Sequence, residues 1–114
     1  MKQNALLART FVFGIDCLKF LRQLPNDYEY RLIRFQLGKS ATSLGANYEE
    51  SQAGSSRADF KNKCRISLRE ARESNYWLRV INALEDKPDE TLEKLLKESA
   101  ELKNIFGAIV NNTK

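Results

Sequence analysis

Apolar residues recur at helical spacing in four stretches of the chain. In the first, about residues 5–24, Leu6, Thr10, Phe13, Cys17, Phe20 and Leu24 alternate steps of four and three, and Leu7, Phe11, Gly14, Leu18 and Leu21 fill a flanking stripe. An apolar face this wide predicts contact with more than one neighbour. Pro25 should end the helix, because it disfavours the α conformation in the residue before it. Asn26 or Asp27 can then cap the next one. In the second stretch, about 28–52, Leu32, Ile33, Phe35, Leu37, Leu44 and Tyr48 supply the apolar positions, and Gly54-Ser55-Ser56 breaks the pattern. Ser56-Arg57-Ala58-Asp59 resembles a capping box with Asp in place of the usual Glu. The third stretch, about 57–84, carries Phe60, Cys64, Leu68, Ala71, Asn75, Leu78 and Asn82, with Ile66, Trp77 and Ile81 beside them. After the polar turn Glu85-Asp86-Lys87-Pro88-Asp89, the fourth, about 89–111, shows Leu92, Leu95, Leu96, Ser99, Leu102, Ile105, Phe106, Ile109 and Val110. Glu90, Glu93, Lys94, Lys97, Glu98, Glu101 and Lys103 are assigned to its polar face, and the last residues, 111–114, are expected to fray.

Four amphipathic helices with short connections predict an all-α, antiparallel up-down-up-down four-helix bundle. A chain of 114 residues is sized for one domain, 1–114, with one core. No apolar run approaches the roughly 20 residues of a membrane span, so no membrane partner is expected. The N-terminal residues make a poor signal peptide, and a cytoplasmic location is the expectation.

The residue inventory narrows the chemistry. Histidine is absent, and the two cysteines, Cys17 and Cys64, have no close cysteine partner and fall on apolar faces. A typical zinc site or a histidine-based triad is therefore excluded; no metal, cofactor or catalytic residue is assigned, and the cysteines read as buried thiols. The formal charge of +4 permits anionic partners without requiring them.

Three constellations stand out. In the second helix, Ser40, Ser43, Asn47 and Glu50 are spaced at three, four and three, so they share a face. That polar motif, extended by Glu70 and Glu73 of the third helix, reads as a hydrogen-bond network fixing helix register or as a site at a subunit interface. Partners for Asn47 and Glu50 would come from Arg65, Arg69 or Arg72; a catalytic role for Glu50 lacks a second acid or a nucleophile. Gly38, Ala41, Gly45 and Ala46 give the same helix a small surface suited to close approach of another helix. The third helix holds seven bases, Arg57, Lys61, Lys63, Arg65, Arg69, Arg72 and Arg79, against three acids, an excess equal to the +4 of the whole chain. Lys61, Arg65, Arg69 and Arg72 form one stripe, either a solvated and partly salt-bridged face or a phosphate-binding one. Tyr76 and Trp77, being adjacent, point to different sides. One suits the core and the other an edge or subunit interface, with base stacking a further reading.

The blocks Ser40-Ala41-Thr42-Ser43-Leu44-Gly45-Ala46-Asn47 with Glu50, Ser55-Ser56-Arg57-Ala58-Asp59-Phe60, and Leu68-Arg69-Glu70-Ala71-Arg72-Glu73-Ser74-Asn75-Tyr76-Trp77-Leu78-Arg79 strongly resemble the bacterial four-helix-bundle family of the 23S rRNA intervening-sequence type. The resemblance implies a homopentamer around a central channel and a role with RNA inferred from gene location. It also implies a kinship with accessory proteins of reverse transcriptases. By resemblance, Ser43, Asn47 and Glu50 map onto the family's helix-two motif, and Arg69, Glu70, Arg72 and Glu73 onto its helix-three motif. Gly38 stands where many relatives carry a base, and Tyr48-Glu49 replaces an apolar-small pair, which argues against RNA binding through helix two. The expected function is thus a non-enzymatic homo-oligomeric protein that binds RNA or another polyanion. The alternative is an oligomeric scaffold or accessory protein for a protein partner.

Overall fold

The computed structural model describes residues 2–54 and 56–113, with side chains from Ala5 onward; Met1, Ser55 (part of the second motif block) and Lys114 lie outside the described residues. Four helices follow one another: α1 (Lys2–Leu21), α2 (Tyr28–Ser51), α3 (Arg57–Leu84) and α4 (Glu90–Asn112). Among the described residues there is no strand, and the protein is all-α.

The helix boundaries follow from local chemistry. The α-helical pattern of α1 stops at Leu21, one turn before the expected Leu24. Residues 22–24 tighten into i→i+3 turns ahead of Pro25. The orphan carbonyls of that end are collected by Arg34 of α2, whose guanidinium donates to Leu21 O at 3.2 Å, Leu24 O at 3.3 Å and Pro25 O at 3.0 Å. Asp27 occupies the N-cap of α2 without a side-chain cap bond. Ser56 caps α3 by accepting from Asp59 N at 3.0 Å, and Asp89 caps α4 by accepting from Leu92 N at 2.9 Å. Between α2 and α3 the chain reverses at Gly54, whose φ of +63° suits a residue without Cβ. At the far end α4 continues through Asn112, where fraying was expected from 111.

Direction can be read from cross-helix contacts. Residues 10, 14 and 18 of α1 meet 45, 41 and 38 of α2, so these two helices are antiparallel. Ser74 and Ser67 of α3 meet Ser40 and Leu44 of α2 in the same sense, as do Leu68 and Asn75 of α3 with Gly107 and Ser99 of α4. The order is therefore up-down-up-down. Among the described residues, the helix backbones approach only their cyclic neighbours: α1 with α2, α2 with α3, α3 with α4, and α4 with α1. The helix axes thus form a square, and the α1/α2 side lies opposite the α3/α4 side.

The core is built from the expected stripes: Phe13, Cys17, Ile33, Leu37, Leu44, Leu78, Ile81, Leu92, Leu102 and Phe106 are almost wholly enclosed. Both cysteines are buried, and desolvation pushes the thiol pKa of each upward. Polar groups inside are hydroxyls with partners. Ser40 Oγ and Ser74 Oγ are 2.9 Å apart, Ser67 Oγ donates to Leu44 O at 2.8 Å, and Asn75 Nδ2 donates to Ser99 Oγ at 2.9 Å. The smallest interface, α1 with α4, is tied by Arg9, which forms a two-pronged pair with Glu98 at 2.7 and 2.8 Å and a further bond to Glu101 at 2.6 Å.

Two apolar positions of α2 are not in the core: Leu32 and Phe35 face solvent, Phe35 with 65% exposure. Periodicity identifies an apolar stripe but not what covers it. Phe35 lies at the outer edge of the α1/α2 side, beyond the reach of α1.

Candidate nucleic-acid interface

The outer surface of α3 is divided lengthwise by charge. At 100° per residue, Lys61, Arg65, Arg69, Arg72, Tyr76 and Arg79 fall on the part turned toward α4, while Ile66, Glu70, Glu73 and Trp77 fall on the part turned toward α2. Asn75 and Leu68, which touch α4, and Ser67 and Ser74, which touch α2, fix the two sides. From Arg65 to Arg79 the line runs 14 residues, about 21 Å at 1.5 Å per residue.

Arg65, Arg69, Arg72 and Arg79 are exposed, and Lys61 is half-buried at the head of the line. Among the described residues, Arg65, Arg72 and Lys61 have no carboxylate within 4 Å, and Arg69 has only Glu70, at 3.8 Å. Such an exposed pair is screened by water and salt and does little to neutralise the line. Arg9 and Arg34, by contrast, are fully engaged in holding the fold. The separation has a counterpart in Glu70, whose carboxyl pKa is raised first by desolvation and then by Glu73. That carboxyl lies on the α2 side of the helix, with Arg69 at 3.8 Å as its one ion-pair contact to the line among the described residues.

Two further cations join this side. Arg79 continues the line past Tyr76; its Nε donates to Asn75 Oδ1 at 3.0 Å, and Asn75 in turn donates to buried Ser99. Its guanidinium carbon sits 5.7 Å from the Tyr76 ring centre. Lys103 lies midway between Ser99 and Gly107, both of which touch α3, and is half-buried. It therefore belongs to the α4 line facing α3, not to the outer polar face assigned from the sequence. The sequence analysis counts Arg79 among the bases of the third helix but leaves it out of the stripe Lys61, Arg65, Arg69 and Arg72. The signal was the seven-residue step from Arg72 to Arg79. Nothing local marks Ser99 as the far anchor.

The polar motif of α2 is dispersed. Ser40 is buried, Ser43 and Asn47 are half-buried and Glu50 is exposed. Asn47 Nδ2 donates to Ser43 O on its own helix at 2.9 Å, and no arginine of α3 reaches it or Glu50. The α2–α3 bonds are made instead by serines, because the arginines leave the helix on its opposite side. Glu70 and Glu73 are half-buried on the α2 side of α3. Tyr76 is exposed and Trp77 half-buried, their rings meeting edge to face at 5.1 Å. Among the described residues no cluster of three potential metal ligands occurs, and no helix is long and apolar enough to cross a membrane.

α1 and α2 carry most of the large apolar side chains left in solvent, Phe11, Val12, Leu18, Tyr28, Leu32 and Phe35, and of these Phe11, Leu18 and Phe35 fall on the side of the bundle opposite the arginine line. Between these helices runs a groove of about 250 Å³, floored by Gly14, Ala41 and Gly45 and walled by Phe11, Ile15, Thr42 and Ala46.

These features define an antiparallel helical bundle with a cationic side and an apolar side facing away from each other. The chain belongs to the 23S rRNA-intervening sequence protein family, whose model matches residues 2–108. A crystal structure from Bacteroides thetaiotaomicron, of a protein with unknown function from the S23 ribosomal protein family, is similar over 98% of this chain and 100% of that one, with 31% identity and a TM-score of 0.85. Comparison with curated proteins gives no match.

Proposed function

We infer that this protein is a non-enzymatic, self-associating module that binds RNA through the α3/α4 side. The observation that carries the reading is the line Arg65, Arg69, Arg72 and Arg79, exposed and almost free of carboxylate partners, while the acids of the same helix are turned toward α2. Unneutralised guanidinium groups in a row are suited to successive phosphates. Membership of a family described by an rRNA intervening sequence supports RNA as the polyanion. Titrating a labelled structured RNA at low and at physiological salt tests it. Affinity should fall steeply as salt rises, through release of condensed counterions. Absence of binding even at low salt would sink the reading.

Self-association is assigned to the opposite side. Phe11, at 59% exposure, walls the α1/α2 groove, and Phe35, at 65%, lies exposed further along α2, leaving an apolar surface unusual for a free monomer. Copies joined there would turn their α3/α4 sides outward, and repetition of a weak phosphate-binding line would raise its avidity. Five copies is the expected number. Light scattering at micromolar concentration should report an oligomer, and Phe35→Asp together with Phe11→Asp should shift it to monomer with helix content retained. A wild-type monomer would remove assembly from the account. The same aromatics favour a second reading, a scaffold for a protein partner, which a nuclease-resistant pull-down lost in the double variant would support.

A further inference from the structure

We propose that Tyr76 is a stacking platform for an unpaired base, so that the α3/α4 side prefers single-stranded or looped RNA to a duplex; this rests on the RNA reading above. Tyr76 interrupts a row of arginines where a fifth cation would be expected if the row served charge alone. Its ring is 49% exposed, on the same outer line as Arg69 and Arg72. It is also held in place. Arg79 lies over it at 5.7 Å, Trp77 supports its edge at 5.1 Å, and Arg79 is itself anchored through Asn75 to Ser99 inside the bundle. A half-exposed aromatic fixed between cations offers a face to a base while the neighbouring guanidinium groups take the flanking phosphates. In a duplex the base faces are already stacked on one another and cannot use it.

The test compares a short unstructured RNA oligonucleotide, the same oligonucleotide annealed to its complement, and heparin, a polyanion without bases. Trp77, the single tryptophan, gives an intrinsic fluorescence signal next to the platform. The single strand should bind more tightly than the duplex and change Trp77 emission, whereas heparin should bind without that change. Tyr76→Ala should weaken single-strand binding by roughly 5- to 150-fold and leave heparin binding unaltered, with Tyr76→Phe restoring most of the loss. Phe retains the ring and tests stacking without depending on the fold of the alanine variant. Equal affinity for single strand and duplex, or a Tyr76→Ala variant that binds the single strand normally, would overturn the stacking role while leaving phosphate binding in place. Failure of all three probes to bind at low salt would overturn both.

Discussion

Replacing Phe106 with alanine should lower the unfolding free energy by about 3–5 kcal/mol, the cost typical of deleting a buried aromatic ring. Phe106 is fully enclosed and belongs to α4. Its ring meets Tyr48 of α2 edge to face, with centres 5.3 Å apart and planes at 74°. The backbones of α2 and α4 do not touch, because they sit at opposite corners of the square. The two rings therefore fill the middle of the bundle, and truncation leaves a cavity that no neighbouring backbone can close. Against the roughly 5–15 kcal/mol available to a typical domain, the loss is large. Thermal unfolding followed by circular dichroism should show a fall of roughly 12–20 °C in Tm at fixed protein concentration. Phe106→Leu, which keeps most of the volume and loses the ring pair, should cost only about 1–2 kcal/mol. A cost below about 1 kcal/mol for the alanine variant would mean that the centre is not packed as described.

Gly45→Leu should be the second most damaging change, at about 2 kcal/mol or more. A Cβ at position 45 would lie 3.2 Å from Thr10 O and 3.3 Å from Thr10 C, and one at Gly14 would lie 3.2 Å from Ala41 O. These are backbone atoms of the facing helix and cannot rotate aside, so a long side chain must push α1 and α2 apart. The gain in helix propensity over glycine, about 1 kcal/mol, offsets only part of this. Gly38 supplies the contrast. A Cβ there would meet only the side-chain ends of Leu18 and Leu21, at 3.6 and 3.8 Å, so Gly38→Ala should stabilise by up to about 1 kcal/mol. Denaturant midpoints of the two variants should move in opposite directions. Because Gly45 also floors the α1/α2 groove, its leucine variant should in addition weaken self-association.

Much of the bundle was legible in the sequence because burial imposes a period. The steps of four and three through Leu6–Leu24 and Cys64–Leu78 place the core, and Ser56 marks the start of α3 as a capping residue should. What the period could not reveal was which of two apolar stripes would be covered. Phe11 and Phe35 look like core residues until the square of helices is known. The arginine partners expected for Asn47 and Glu50 are not the bonds formed, for a related reason. Size and polarity draw attention to Asn47, Glu50 and the arginines, yet the bonds between α2 and α3 are made by the small hydroxyls of Ser40, Ser67 and Ser74. The stripe Arg65, Arg69, Arg72 was visible from spacing alone. Arg79 follows from the same spacing, seven residues beyond Arg72, whereas Lys103 does not, since it is placed by contacts between α3 and α4 that lie more than twenty residues apart in sequence.

RNA phosphates are proposed to be held by this arginine line rather than by the protein's general positive charge. The direct measurement is the dependence of RNA affinity on salt, taken for the wild type and for Arg65→Gln/Arg69→Gln/Arg72→Gln. These side chains are exposed and take no part in the core, so the variant should fold normally. The slope of log affinity against log salt should become shallower by at least about two, since each lost phosphate contact removes about 0.7–0.9. An unchanged slope, with affinity falling no more than for three glutamines placed elsewhere on the surface, would contradict the assignment.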